Sequence, residues 1–162
     1  MIWRKGMKDQ QRFLNEDLVL RVSQSIDPFI FDITKYEPFL DALCGTREYQ
    51  KQAIRNTLYY LLSGRYSNLY ALAEENYLSN DKIQDRYGSL KKMLNHLQFP
   101  NQLSCSIDLA TGTGKSFVMY GIARIMLAEG IVDRVLVLCP SVTIEDELTK
   151  KFINLSSDAA FK

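Results

Sequence analysis

Apolar positions recur along the chain with different periods, and each period predicts a different element. Residues 18–22 and 29–33 are short apolar runs separated by a turn, and each predicts a strand. Apolar residues at steps of three and four predict a short helix over 38–44 and a longer one over 46–63. The amino-terminal 45 residues are therefore predicted to be a mixed segment that precedes a helix.

Residues 65–98 are polar and rich in tyrosine at first, and then carry apolar residues at helical spacing. This pattern predicts helices, and a face buried against the main domain is favoured over a helix dedicated to binding a partner. The apolar stripe consists of Ile83, Tyr87, Leu90, Leu94 and Leu97.

The pattern after Pro100 predicts a strand, a loop, a helix and a second strand. Apolar and polar residues alternate over 103–109, a glycine loop follows, and 117–128 contains good helix formers. Residues 135–139 are a continuous apolar run, which is typical of a strand buried on both faces of a parallel sheet. The predicted fold class is therefore α/β with a right-handed βαβ unit. A further helix is predicted from Thr143 to about residue 155.

Composition restricts the class of protein without identifying it. The chain has 162 residues, of which 46% are hydrophobic and 24% charged, as in soluble globular domains. Lys and Arg exceed Asp and Glu by 20 − 19 = 1, so nucleic acid would have to bind a local basic patch. The three cysteines and the single histidine, His96, complete neither a disulfide framework nor a zinc site. With no apolar run long enough to span a membrane, a cytoplasmic protein is expected.

The glycine loop is the strongest chemical signal in the sequence. Residues 110–116 read ATGTGKS between the predicted strand and helix. Glycines let backbone N–H groups point at phosphate oxygens, and the start of a helix adds its positive end. Lys115 can reach the β and γ phosphates, and the Ser116 hydroxyl can bind Mg²⁺. The predicted phosphate-binding residues are Thr111, Gly112, Thr113, Gly114, Lys115 and Ser116.

The form of this loop resembles motif I of superfamily 2 helicases and translocases. In the general phosphate-loop template a glycine stands where this chain has Leu109. Small GTPases and nucleotide kinases normally keep that glycine, whereas ATGTGKS is the helicase form. A chance glycine turn is disfavoured, because a strand is predicted before the loop and a helix after it.

A second element, TREYQ at 46–50, looks like the adenine-recognition element of the same superfamily. Gln50 offers a donor and an acceptor to an adenine edge, and the guanidinium of Arg47 can stack on the base. This resemblance implies a preference for ATP over GTP. By itself, an Arg and a Gln three residues apart would be an ordinary solvated helix face.

A third element, VLVLCPSVTIEDEL at 135–148, resembles motif Ia and most closely the form found in Res subunits of restriction enzymes. In that family this loop touches the nucleic-acid backbone, which implies that Pro140 and Ser141 bind DNA. Backbone N–H groups and a hydroxyl suit phosphate oxygens and read no base sequence. An ordinary turn into a helix remains the alternative.

The order of these elements resembles the motor of type III restriction enzymes and, more distantly, of type I enzymes, over residues 46–155. This implies a RecA-like ATPase domain over 46–162 with a helical insertion at 65–98, after an accessory segment over 1–45. It also implies an ATP- and Mg²⁺-dependent DNA helicase or translocase. Its partners would be duplex DNA and a modification (methyltransferase) subunit.

Two parts of such a motor are missing from the sequence, namely a strand ending in Asp-Glu and an arginine from a second lobe. Asp146 and Glu147 are interpreted as a solvated helix face. We therefore expect an amino-terminal part of a longer protein, inactive alone. The alternatives are a nucleotide-gated interaction module, a small-molecule kinase, whose acceptor pocket and arginine-rich lid are not evident, and a collapsed loop.

Overall fold

The structure, a computed structural model, describes residues 13–159. Within this range the chain forms seven α-helices and two short 3-10 helices, and no β-strand. The described residues divide into two compact units, one made of 13–22 and 66–105 and the other of 23–65 and 106–159. The α-helices are α1 (Glu37–Cys44), α2 (Glu48–Leu62), α3 (Leu69–Ser79), α4 (Asp81–Tyr87), α5 (Leu90–Leu94), α6 (Lys115–Ala128) and α7 (Val142–Ser157).

The first unit contains α3, α4 and α5. Asn68 and Asn80 precede α3 and α4, and their side chains accept hydrogen bonds from N–H groups of the following turn. Gly88 ends α4 in the left-handed conformation, with φ 68°. The predicted apolar stripe is therefore divided between α4 and α5, and its last residue, Leu97, lies beyond α5. The helices predicted over 65–98 are therefore present. Their core consists of the buried residues Ala73, Ile83 and Met93, with Tyr87, Leu90, Leu94 and Leu97 packed around it.

The strand predicted over 18–22 does not form in this unit. The backbone N–H of Arg21 donates to Asn76 Oδ1 at 2.7 Å, and Asn76 Nδ2 donates back to the Arg21 carbonyl at 3.0 Å. Asn76 is buried, and its amide makes the pair of bonds that a neighbouring strand would otherwise make. A side chain thus satisfies the backbone where a strand was predicted.

The second unit is centred on the packing of α2 against α6. Gly121 of α6 lies so close to α2 that a Cβ there would be 2.7 Å from Ile54 Cδ1 and 3.0 Å from Leu43 Cδ2. The glycine therefore lets the two helices pack closely at this point. The buried cluster at this contact includes Leu40, Leu43, Ile54, Leu58, Val118 and Ile125.

Turns replace the other amino-terminal strand, predicted over 29–33. The Asp27 carbonyl accepts hydrogen bonds from the N–H groups of Ile30 and Phe31, which closes a turn. The carboxylate of Asp32 then accepts from Thr34 N and begins the 3-10 helix Ile33–Tyr36. Aspartate side chains that bond to nearby backbone compete with strand formation. In this segment the result is a turn followed by a 3-10 helix.

The helices predicted for the second unit are present, with small shifts at their starts. Helix α1 ends at Gly45, which has a φ of 57°, as predicted. Helix α2 begins after Arg47 instead of at Thr46, and no side chain caps it. Helix α7 begins after Ser141 instead of at Thr143.

The predicted α/β fold, an incomplete RecA-like P-loop sheet, is wrong for the described residues. Segments 103–109 and 135–139 flank α6 as a βαβ unit requires, but neither is a strand. Apolar patterning favours extended backbone, yet a strand also needs a partner to bond its N–H and C=O groups. The apolar face of α6 packs against α1 and α2 instead. Leu136 and Leu138, predicted to be buried, are 82% and 84% exposed.

Two further sequence predictions concern the chain as a whole. The proposed division into 1–45 and 46–162 stays a prediction, and parts of both segments lie outside the described residues. In the described part of the chain no helix has both the length and the apolar character needed to cross a membrane. The same part contains no group of three or more His, Cys, Asp or Glu side chains that could hold a metal ion.

Candidate functional site

Residues 110–114 form a turn that leads directly into α6, whose first two residues are Lys115 and Ser116. Gly112 and Gly114 have φ values of 79° and 82°, in the left-handed region that glycine adopts without strain. Gly114 is the residue before the first helical residue, Lys115. The first N–H groups of a helix have no acceptor within the helix, and they carry the positive end of its dipole. The turn therefore presents backbone donors and a lysine at one place.

The loop is closed by hydrogen bonds to the carbonyl oxygen of Ala110. Thr113 Oγ1 donates to this oxygen at 2.6 Å, and Thr113 N donates to it at 3.3 Å. Lys115 Nζ donates to the same oxygen at 3.1 Å, so the ammonium lies beside the loop backbone. Lys115 is exposed and Ser116 is half-buried. Both side chains predicted to act on phosphate and Mg²⁺ are therefore at the start of α6.

Helix α2 contacts the loop through two neighbouring side chains. Gln50 Nε2 donates to the carbonyl oxygen of Thr113 at 2.5 Å, and Tyr49 Oη donates to it at 3.0 Å. Gln50 is 1% exposed, whereas Tyr49 is 46% exposed. The structure thus brings the predicted base-recognition helix and the predicted phosphate loop together.

Gly114 has a left-handed backbone angle and also lies against the Gln50 side chain. A Cβ at Gly114 would lie 2.5 Å from Gln50 Nε2 and 3.2 Å from Phe117 Cδ2. At Gly112, by contrast, a Cβ would meet no atom within 4 Å. The two glycines of the motif therefore have different roles, since only the second makes room for α2.

One polar atom of Gln50 has no hydrogen-bond donor among the described residues. Its carboxamide oxygen, Oε1, is buried and has no hydrogen-bond partner among the described residues. A buried acceptor without a donor is unfavourable by about 1–3 kcal/mol, so such atoms are uncommon in folded proteins. Arg47, its predicted partner, is exposed at the start of α2. That both residues face a base stays a prediction.

Ion pairs hold the start of α2 against α1. Arg55 donates to both carboxylate oxygens of Glu37, at 2.9 and 2.6 Å, and to Glu48 Oε1 at 2.5 Å. Lys51 pairs with Asp41, and this hydrogen bond raises the pKa of the Lys51 ammonium. These pairs fix the helical turn that carries Tyr49 and Gln50.

Tyr49 is the residue of this site that the sequence did not reveal as functional. Its hydroxyl bonds to a residue 64 positions later. No local pattern encodes such a contact. The only signal was its position inside the TREYQ element, beside Gln50.

The predicted DNA-contact residues lie at a different turn. Pro140 and Ser141 are exposed, and the Ser141 hydroxyl oxygen accepts from Ile144 N at 3.4 Å, which caps α7. The hydroxyl hydrogen of Ser141 remains available to a phosphate oxygen. Asp146 and Glu147 lie within α7 and are exposed, as interpreted from the sequence.

A groove that the sequence did not indicate runs between α6 and α7. It has a volume of about 390 Å³, and its walls include Tyr120, Arg124, Val135 and Phe152. The rings of Tyr120 and Phe152 meet edge to face, with centroids 5.4 Å apart. Most of its lining is apolar, and Arg124 is the charged side chain in its wall.

The loop, its lysine and the helix that follows resemble the phosphate-binding loop of nucleotide-binding proteins. The model of one protein family, described as type III restriction enzyme, res subunit, matches residues 43–162. The chain therefore belongs to this helicase-like, ATP-binding family. No curated protein and no solved structure is significantly similar to it.

Proposed function

We propose that this chain supplies the ATP-binding part of a DNA helicase or translocase of a restriction-modification or related DNA-processing system. The observation that carries the proposal is the glycine loop at the start of α6, with Lys115 beside it and α2 bonded to it. Membership in the Res family supports the same function. In a complete motor of this kind, ATP hydrolysis would be coupled to movement along duplex DNA or to its opening.

Each residue of the loop has a chemical role in this proposal. The N–H groups of Gly112, Gly114 and the first turn of α6 bind phosphate oxygens. Lys115 leaves the Ala110 carbonyl and places its ammonium on the β and γ phosphates. The Ser116 hydroxyl would hold Mg²⁺, and the ion would supply positive charge beside the phosphates. A hydroxyl oxygen is a suitable ligand for Mg²⁺, and an ammonium group and backbone N–H groups suit phosphate oxygens.

The base would be read by Arg47 and Gln50. The unpartnered Oε1 of Gln50 is an acceptor, and it suits the amino group of adenine, whereas guanine places a carbonyl oxygen at that position. Because Gln50 is buried, base reading would require this oxygen to be uncovered. Equal affinity for ATP and GTP would contradict this part of the proposal.

DNA would be bound at the turn before α7. The Ser141 hydroxyl and the first N–H groups of α7 can donate to backbone phosphates without reading sequence. A methyltransferase subunit is the partner proposed for the assembled enzyme. The net charge of the chain is +1, so DNA binding would depend on these local donors.

The direct test is Lys115→Ala, with Lys150→Ala on the exposed part of α7 as the matched control. Losing a charge-assisted bond to phosphate should weaken Mg-ATP binding by roughly 10- to 100-fold in calorimetry. In a protein that contains the whole motor, the same change should abolish DNA-stimulated ATPase activity. Near-normal turnover would refute the assignment, and ATPase activity indifferent to DNA would favour a nucleotide-gated module.

A further inference from the structure

The carbonyl oxygen of Thr113 is the point at which α2 is bonded to the loop. Tyr49 Oη and Gln50 Nε2 both donate to it, at 3.0 and 2.5 Å. Both donors come from the first turn of α2, and a carbonyl oxygen has two lone pairs to receive them. The two side chains therefore act on one atom of the loop.

The direction of that carbonyl sets the direction of the next amide. No described peptide bond is cis. In a planar trans peptide the C=O and the following N–H point to opposite sides. Since the Thr113 carbonyl points at α2, the N–H of Gly114 points away from α2. Gly114 has no side chain to restrict rotation of this peptide, so its orientation depends on what the carbonyl contacts.

We propose that Tyr49 is a positioning residue of the phosphate loop. With Gln50, it holds the peptide between Thr113 and Gly114 so that its N–H faces the phosphates and its carbonyl oxygen faces α2. A peptide rotated by half a turn would present a carbonyl oxygen to the anion, and the repulsion would oppose binding. The inference rests on the proposed function, because it assumes that the loop binds phosphate.

Two features separate the role of Tyr49 from that of Gln50. Gln50 carries a second polar atom that is buried without a partner, so changing it alters more than one interaction. Tyr49 contributes one hydroxyl from a half-exposed ring. Replacement of Tyr49 by phenylalanine therefore removes the bond to Thr113 and keeps the ring.

The test compares Tyr49→Phe with Tyr70→Phe, whose hydroxyl donates to Glu74 within α3. Calorimetry on the 162-residue chain measures binding of Mg-ATP and of magnesium tripolyphosphate, which has no base. Loss of one neutral hydrogen bond should raise the dissociation constants of both ligands by roughly 3- to 10-fold in Tyr49→Phe only. Unchanged constants would overturn the inference. A loss confined to ATP would also overturn it, because Tyr49 would then act on the base.

A second measurement needs no ligand. In nitrogen-15 spectra of the free chain, the amide resonance of Gly114 should shift in Tyr49→Phe and should be unchanged in Tyr70→Phe. An unaltered Gly114 amide would show that Tyr49 does not hold this peptide. A wild-type chain that bound neither probe would contradict the proposed function, while the Gly114 amide would still report on the role of Tyr49.

Discussion

The turns that lead into α6 and α7 have similar sequence patterns, but the structure holds them in different ways. Each follows an apolar stretch and precedes a helix. The turn before α6 is bonded to another helix through Thr113, and α6 buries Val118, Tyr120, Gly121 and Ile125. The turn before α7 is capped by its own Ser141, and Leu155 is the buried residue of that helix. The two helix starts thus differ in their anchors, because among the described residues one is bonded to another helix and the other is capped by its own serine.

The largest effect on the free energy of unfolding should come from the packing of α2 against α6. Ile54 is completely buried against Gly121, so Ile54→Ala should lower the free energy of unfolding by about 2–5 kcal/mol in urea titration. Ile153 of α7 is 61% exposed, and Ile153→Ala should change it by less than about 0.5 kcal/mol. Similar losses in the two variants would remove the contrast between the helices.

A smaller effect is expected within the loop itself. Gly114→Ala combines a left-handed φ with a Cβ that would lie 2.5 Å from Gln50 Nε2, so we expect a loss of about 1–3 kcal/mol and weaker Mg-ATP binding. Gly112→Ala has the same backbone strain but open space around it, so about 1 kcal/mol should be lost. Unfolding titrations and calorimetry would check both variants. If the two alanines behaved alike, the contact with α2 would not be what distinguishes these glycines.

The smallest effect concerns the far end of α6, where Glu129 bonds to Lys35 and Tyr36. The hydrogen bond from Lys35, followed by that from Tyr36, lowers the pKa of Glu129. A carboxyl whose pKa is lower in the folded state stabilises the fold above its unfolded pKa of about 4.3, and the contribution is lost as the pH falls. Glu129→Gln should therefore lower the free energy of unfolding at pH 7 by less than about 1 kcal/mol.

The control for this variant is the same comparison with wild type at a lower pH. At pH 3 the unfolding free energies of wild type and Glu129→Gln should differ less than at pH 7. The reason is that the carboxyl of the unfolded wild type takes up a proton first, which removes the stabilisation. A difference that grew on acidification would contradict the assigned direction of the pKa shift.

The sequence predicted those features that depend on neighbouring residues. Helical periodicity and glycine stops gave α1, α2 and α6 to within about two residues, because these signals act over one or two turns. The ATGTGKS loop was placed correctly at the start of α6 for the same reason. The role of each loop residue in binding stays a prediction.

Features that depend on distant partners could not be predicted in this way. Strands were expected over 103–109 and 135–139, but pairing is decided by another segment, and α6 packs on α2 instead. At Arg21 the buried amide of Asn76 replaced a strand partner. The bond between Tyr49 and Thr113 joins residues 64 positions apart, so no local pattern could reveal it.

The most direct test of the central claim is a nitrogen-15 titration of the chain with Mg-ATP. Binding at the loop predicts that the amides of Gly112, Gly114, Lys115 and Ser116 shift most, and that Lys115→Ala removes these shifts at the same ligand concentration. Contradiction would come from an unchanged loop together with shifts confined to the groove between α6 and α7, around Arg124 and Phe152.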